Sequence, residues 1–459
     1  MNIIEYNKQL VANATVRLVH ETEEDWTQSV SQKIDDQRTQ ILWQSEAPGS
    51  GAPSSVLAGA IQASQNLGYD VTKAEKLFFE AITDLNNIPK LNQYLSKIFY
   101  ELNNAPINKS ADYWNYCCYT NWQQYEQQIK QQIVNHEVIN TDNIKQKIKW
   151  GFIGQIAAGA FGTALEGYNR QSIESFFGEV TSYLKQPSTY NDDITFELAL
   201  LKAFDEHGKK TNSHHIAEQW VALIPFAWSA EDIALKNLRL GIYPPHSGIV
   251  SNPYREWIGA QMRGTICGML APNNPLLAAK IAWMDGEISH FNNGILGEVF
   301  NAVLASLAFE ISDIKELIRL AISYIPNNSL YYSVVETCFK KCQELNNEDL
   351  VLDFIEEQYQ QYNLVHALPN AAIEVVALYF GKTDFTETMR IVAKAGLDVD
   401  CNAAQIGNIV GIINHKSGLP EQWVKPLGNN LKTYVRTIEQ ISISELVDWT
   451  YRVYEKIAD

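Results

Sequence analysis

Apolar residues recur three and four positions apart along most of this chain, the spacing that gathers them on one face of an α-helix. From Val56 the segments AGAIQASQNLGY, VTKAEKLFFEAITDL and LNQYLSKIFYELNNA follow it, with Asn and Gly residues separating them, which predicts helical hairpins over 56–105. Residues 1 to about 45 are polar, and Ser45–Ser55 (SEAPGSGAPSS) predicts a loop or linker. Residues 112–134 are aromatic and then Gln-rich, and Trp and Tyr at helical spacing predict packing surface. A new unit opens at Asn140, where Asn140-Thr141-Asp142 offers an N-cap to IKQKIKWGFIGQIAAGAFGTALEGY. Gly151, Gly154, Ala157, Ala158, Gly159, Ala160 and Gly162 make that helix unusually small on one face, which predicts close approach of another backbone or a ligand, tight helix packing being the simpler reading. Amphipathic segments continue from ITFELALLKAFDEHG to CNAAQIGNIVGIINHKSG, strand-like alternation is scarce, and no repeat of fixed period is present. The predicted fold class is all-α, with an N-terminal helical domain over 1–140 and a second domain over 141–459.

Composition narrows the classes of function. At 459 residues the chain is long enough for a large core, and length alone suggests about three domains. A net charge of −17 argues against binding nucleic acid by phosphate neutralisation and against polybasic attachment to anionic membranes. The stretch Gly151–Leu165 is too short to span a bilayer and contains Gln155. MNIIEYNKQL lacks the basic-then-apolar order of a secretory signal. Six cysteines without a Cys-x-x-Cys pair read as reduced thiols of a cytoplasmic protein rather than a zinc ribbon or a disulfide framework.

Two acidic groups carry the candidate chemistry: Asn191-Asp192-Asp193 and Asp398-Val399-Asp400-Cys401-Asn402, each just before a predicted helix. Acidic residues at helix N-termini are favoured by the dipole and by free N–H groups, so capping is the simpler reading of either one. Adjacent carboxylates repel unless a cation or proton lies between them. In an extended loop Asp398 and Asp400 would point to one side, and oxygen ligands from two loops suit a hard cation such as Mg²⁺. His214-His215 and Cys117-Cys118 have no matched partners and read as structural.

From about 141 to 435 the chain resembles the ADP-ribosylglycohydrolase family in its bacterial form, the group that includes the dinitrogenase reductase-activating glycohydrolase. Four segments carry the likeness in family order: GFIGQIAAGAFGTALEGY, YNDDITFELALLKAF, the block from NPYREWIGAQMRGTICGML through GEISHFNNGILGEVFNAVLASLAF, and GLDVDCNAAQIGNIVGIINHKSGLPEQW. The resemblance implies a compact orthogonal bundle of helices and a hydrolase with two Mg²⁺ ions, Mn²⁺ being the alternative. Carried over by position, Asn191, Asp192 and Asp193 form one ligand set, and Asp398, Asp400 and Cys401 the other. Glu166, Asp192 and Asp193 are the implied catalytic carboxylates, and Ser289, His290, Asn293 and Gly294 the implied lining of the substrate cleft. Asn191 and Cys401 stand where many members have Thr, and Thr163 where many have Asp. A thiol is a poor ligand for hard Mg²⁺, so the contact at 401 is weakened or replaced by water.

The implied reaction is hydrolysis of the glycosidic bond at the terminal ribose of an ADP-ribosyl group, through an oxocarbenium-like transition state. A carboxylate near the water, Glu166 or one of Asp192 and Asp193, acts as general base. Helix N-termini and backbone amides offset the pyrophosphate charge, and Arg255 and Arg263 are candidates to help, with a structural salt bridge as the simpler role for each. His366 with Asn370 edges the cleft on this reading. The expected partner is an ADP-ribosylated protein or a small ADP-ribosyl substrate, with no nucleic acid and no membrane. Hydrolysis of a small ADP-ribosyl or other N-ribosyl metabolite, and a binding protein that recognises ADP-ribose without turnover, are the alternatives. The first 140 residues fit a docking domain, a lid or an oligomerisation unit.

Overall fold

The structure, a computed structural model, describes residues 1–18, 28–133, 142–190 and 192–458. Helices dominate, as the apolar periodicity predicts. Among the described residues the strands form two short antiparallel pairs: β1 (Ser45–Glu46) with β2 (Pro53–Ser54), and β3 (Asn430–Lys432) with β4 (Gln440–Ser442). The polar N-terminal stretch also holds two helices, Ile3–Ala12 and Gln28–Trp43, which its weak apolar periodicity does not announce. No helix among the described residues is long and apolar enough to cross a membrane. All six cysteines are free.

The first helices, including α1 (Val56–Asn66), share a small core of their own built on Trp43, Leu57, Leu91 and Ile98. The aromatic segment behaves differently. Its helix α2 (Trp122–Gln132) sends Tyr125 and Ile129 into the main core, where the Tyr125 hydroxyl donates to Tyr324 O at 2.7 Å. The boundary expected at 140 and the N-cap expected at Asn140-Thr141 fall within 134–141, outside the described residues; the N-cap position of the following helix is Asn143.

The centre of the molecule is the pairing of α3 (Ile144–Gly162) with α7 (Val399–Ile413). The small face of α3 exists for this contact. A Cβ on Gly154 would overlap Gly407 O, one on Gly407 would lie 2.6 Å from the Ala158 Cβ, and one on Gly162 would overlap Asp400 N and Cα. Only hydrogen as a side chain lets the two backbones meet there. Around this pair pack α4 (Asp193–His207), α5 (Asn293–Ala308), α6 (Ala367–Gly381) and α8 (Ile443–Ala458). Both predicted helix starts lie earlier than their apolar residues suggest, at Asp193 and Val399. Asp400 therefore sits in a first helical turn rather than in an extended loop.

Candidate active site

The pairing of α3 with α7 brings three helix ends together: the C-terminal end of α3 and the N-terminal ends of α4 and α7. The turn after α3 carries Glu166. It is clipped to the loop before α7 by two backbone hydrogen bonds of 2.9 Å, from Gly167 N to Leu397 O and from Leu397 N to Tyr168 O. That loop turns through two successive left-handed residues, Gly396 (φ 74°) and Leu397 (φ 65°). A non-glycine residue in this region costs on the order of 1 kcal/mol and marks a conformation imposed by its surroundings.

Glu166, Asp192, Asp193, Asp398 and Asp400 converge here, as the two acidic motifs and the resemblance anticipate. Asp192 and Asp398 occupy N-cap positions, yet neither side chain makes a cap hydrogen bond. Capping therefore does not account for these residues. Asp398, Asp400 and Cys401 each place a ligand atom within 4.8 Å of the others. Asp398 Oδ1 is buried without a hydrogen-bond partner among the described residues. Burial, then mutual repulsion, pushes the Glu166 carboxyl well above its ordinary range, with Asp400 and Asp398 its strongest neighbours. Asp193 and Asp400 are raised well above theirs for the same reasons, and Asp398 is pushed up to about 6, chiefly by burial. Carboxylates held together in this way need a proton or a cation between them. The donor set at ligand distance, two carboxylates and a thiol at the start of α7, suits a hard divalent cation through its oxygens.

Cys401 is less suited to that role. Burial raises its thiol pKa well above the ordinary value, and its Sγ donates to Asp193 Oδ1 at 3.5 Å and lies 3.8 Å from Met262 Sδ. Asn191 lies outside the described residues.

Glu166, Asp192, Asp398 and Asp400 form the floor of a cavity of about 590 Å³, a volume typical of sites for cofactor-sized molecules, while Asp193 is buried and does not line it. Phe226, Trp228, Tyr190 and Tyr434 line one wall, with Phe226 and Tyr434 stacked 4.5 Å apart at 20°. No Lys, Arg or His is among the described residues that line it.

Ser289, His290, Asn293 and Gly294 do not line this cavity, in contrast to the position the resemblance implies. Ser289, His290 and Asn293 are buried behind it, and a Cβ on Gly294 would lie 2.5 Å from Arg255 O. Ser289 Oγ and His290 Nδ1 bond each other at 2.7 Å, and Asn293 Nδ2 donates to Glu256 Oε2 at 2.7 Å. The physical reason is Arg263. Fully buried, its guanidinium bonds Asp285 at 2.5 Å, Glu231 at 3.0 Å and Ser289 at 3.1 Å, and faces the Trp220 ring at 4.9 Å. Ser289 thus helps to satisfy a buried cation, and of the groups bonded to Arg263, Glu231 and Gly259 reach the cavity. Arg255 donates to Asn252 O and does not line the cavity either.

His366 caps α6, its Nδ1 accepting from Leu368 N at 3.3 Å, and does not edge the cavity. Asn370, one turn on, holds the acidic loop: its Oδ1 accepts from Asn402 Nδ2 at 2.7 Å and from Asp398 N at 3.4 Å. The Asn363-Leu364-Val365 stretch and Glu46 line the cavity as well, and nothing in their local sequence marks them for it.

Residues 140–458 match the model of the ADP-ribosylglycohydrolase family, which covers more than half of the chain. The chain belongs to that family. A solved structure of an ADP-ribosylglycohydrolase-related protein complex is similar over 68% of this chain and 98% of its own, at 17% identity and a TM-score of 0.45. No curated protein matches.

Proposed function

We propose that this chain is a metal-dependent hydrolase that cleaves the glycosidic bond between ADP-ribose and a protein side chain or related acceptor. The observation that carries this reading is the meeting of Glu166, Asp192, Asp398 and Asp400 on the floor of a cavity, with Asp193 buried beside them and a lining that lacks cationic side chains among the described residues. Asp192, Asp193, Asp398 and Asp400 would hold Mg²⁺, two ions by the likeness to the family. Such ions, when bound, fix ribose hydroxyls and acidify water.

The chain's own groups do the rest. Glu166, whose carboxyl is raised above its ordinary range by burial and then by its acidic neighbours, accepts a proton from the attacking water. Asn370 and the paired turns at 167–168 and 396–397 hold the carboxylates in place, so the reacting groups meet without reorganisation. Phe226 and Tyr434 offer flat faces on which a base can stack, a contact worth roughly 1–3 kcal/mol. Backbone amides meet the pyrophosphate in place of basic side chains.

The test is release of ADP-ribose from an arginine-ADP-ribosylated protein, with Mg²⁺ and with EDTA, beside an Asp398→Asn, Asp400→Asn double variant. Release is expected only with Mg²⁺. The variant should lose more than about 100-fold, beyond the 10–100-fold typical of an outer partner of a metal ligand. Equal release in EDTA overturns the metal dependence. No release from this or other linkages, with ADP-ribose still bound in calorimetry, favours the non-catalytic alternative.

A further inference from the structure

Part of the wall of the cavity comes from outside the family's matched region. Residues 45–62 supply it: the β1–β2 hairpin and the first turns of α1. Glu46, Pro48, Pro53 and Ser54 both line the cavity and are exposed to solvent, which puts them at its rim.

This segment is fastened at both ends. At the hairpin, Lys185 Nζ donates to Gly49 O at 2.6 Å and the Tyr168 hydroxyl donates to Ser50 O at 3.2 Å. A Cβ on Gly167 would lie 2.7 Å from the Ala52 Cβ, so the hairpin rests on the same turn that carries Glu166. At α1, Gln62 Nε2 donates to Gln361 O at 3.0 Å while its Oε1 accepts from Asn363 Nδ2 at 2.9 Å. A Cβ on Gly59 would lie 2.6 Å from the Trp257 ring. The segment is a strap held on two sides of the cavity, and backbone as well as side chains hold it.

We propose that this strap sets acceptor specificity: by forming the rim beside Glu166, it admits ADP-ribose linked to a slender acceptor and disfavours ADP-ribose attached to the surface of a folded protein. The inference rests on the hydrolase reading above. Its chemistry is steric. A folded carrier has to pass the rim while its ribose reaches the acidic floor, and a small acceptor does not.

The hairpin allows a clean test because Ser45 pairs with Ser54 and Glu46 with Pro53, so its tip can be removed without stretching the chain. In the full-length protein, Ala47–Ala52 is replaced by Asn-Gly, the turn suited to a two-residue hairpin. A second variant, Ser54→Trp, adds bulk at an exposed rim position and leaves the tip intact. The readout is the ratio of kcat/KM on an arginine-ADP-ribosylated folded protein to kcat/KM on ADP-ribosylated free arginine. Any general loss through the Glu166 turn cancels in this ratio. The expected result is a rise of at least tenfold in the shortened hairpin and a fall of at least threefold in Ser54→Trp. If the shortened hairpin does not fold, the Ser54→Trp ratio decides alone. An unchanged ratio in folded variants overturns the strap's role while leaving the hydrolase reading intact. If the wild type turns over neither substrate nor other ADP-ribosyl linkages, the hydrolase reading fails by itself. The strap is then judged by the same ratio in calorimetric Kd values, where no change in either variant overturns it.

Discussion

At the residue scale, the buried carboxyls outside the floor of the cavity make a pH prediction with a definite sign. Burial pushes Glu197 and Glu374 to about 8 and Glu231 to about 7, against roughly 4.3 in an unfolded chain. The folded protein therefore keeps protons that the unfolded chain has released, and its stability falls as pH rises through that interval. His366 acts in the opposite direction, because burial lowers it to about 3, but its contribution to the pH dependence tails off above about 6.5, where the unfolded chain's histidine also loses its proton. Between pH 6.5 and 8 the carboxyls dominate. Thermal unfolding in EDTA should show Tm decreasing over this range. Glu374→Gln should flatten the decrease, since an amide oxygen can still accept from Gln261 and Asn301 and no longer titrates. Parallel curves for wild type and variant would remove Glu374 from the account.

At the element scale, the contact of α3 with α7 decides both stability and site. Replacing Gly154 with Ala improves helix propensity by about 1 kcal/mol. The added Cβ would meet the backbone carbonyl of Gly407, which cannot swing aside as a side chain can. Overpacking of this kind costs about 1–3 kcal/mol, so the net change should be destabilising by up to about 2 kcal/mol. Urea unfolding of Gly154→Ala reads that sign directly, and a stabilised variant would mean that the helices separate easily. Gly162→Ala strikes Asp400 instead, at the start of α7. It should lower Mg²⁺ affinity, measured by calorimetry, more than it lowers Tm.

At the scale of the whole molecule, the region matched to the family is packed against a segment that precedes it. Tyr113 donates to Glu256 at 2.8 Å, Tyr119 N donates to Asn292 Oδ1 at 3.0 Å, and Tyr125 stands 5.3 Å from Trp283, all from a segment before residue 134. A chain starting at 142 would leave Glu256, Asn292 and the Trp283 surface uncovered. It should unfold at lower temperature than a chain starting at 112, which keeps these contacts and loses only the small N-terminal core and the strap. Equal Tm values for the two truncations would show that residues 112–133 cover the core without supporting it.

Much of this molecule was open to a reading of the chain alone. Helical periodicity announced an all-α fold, because burying one face of a helix leaves its mark every three or four residues. The small face of α3 announced a close backbone contact, because only glycine and alanine permit one. The two acidic motifs stood out because carboxylates placed side by side repel each other without a counter-charge. The Ser289-His290 block was legible as a motif but not as a place: whether it faced a cavity or a buried arginine depended on how Arg263 was packed. The roles of Glu46, Asn363 and Asn370 were hidden for the same reason, since each acts on residues far away in the chain. Local pattern thus determined the helices and the acidic chemistry. Tertiary packing alone decided which carboxylates share one floor, which polar residues lie behind it, and that a hairpin from the first 60 residues closes its rim.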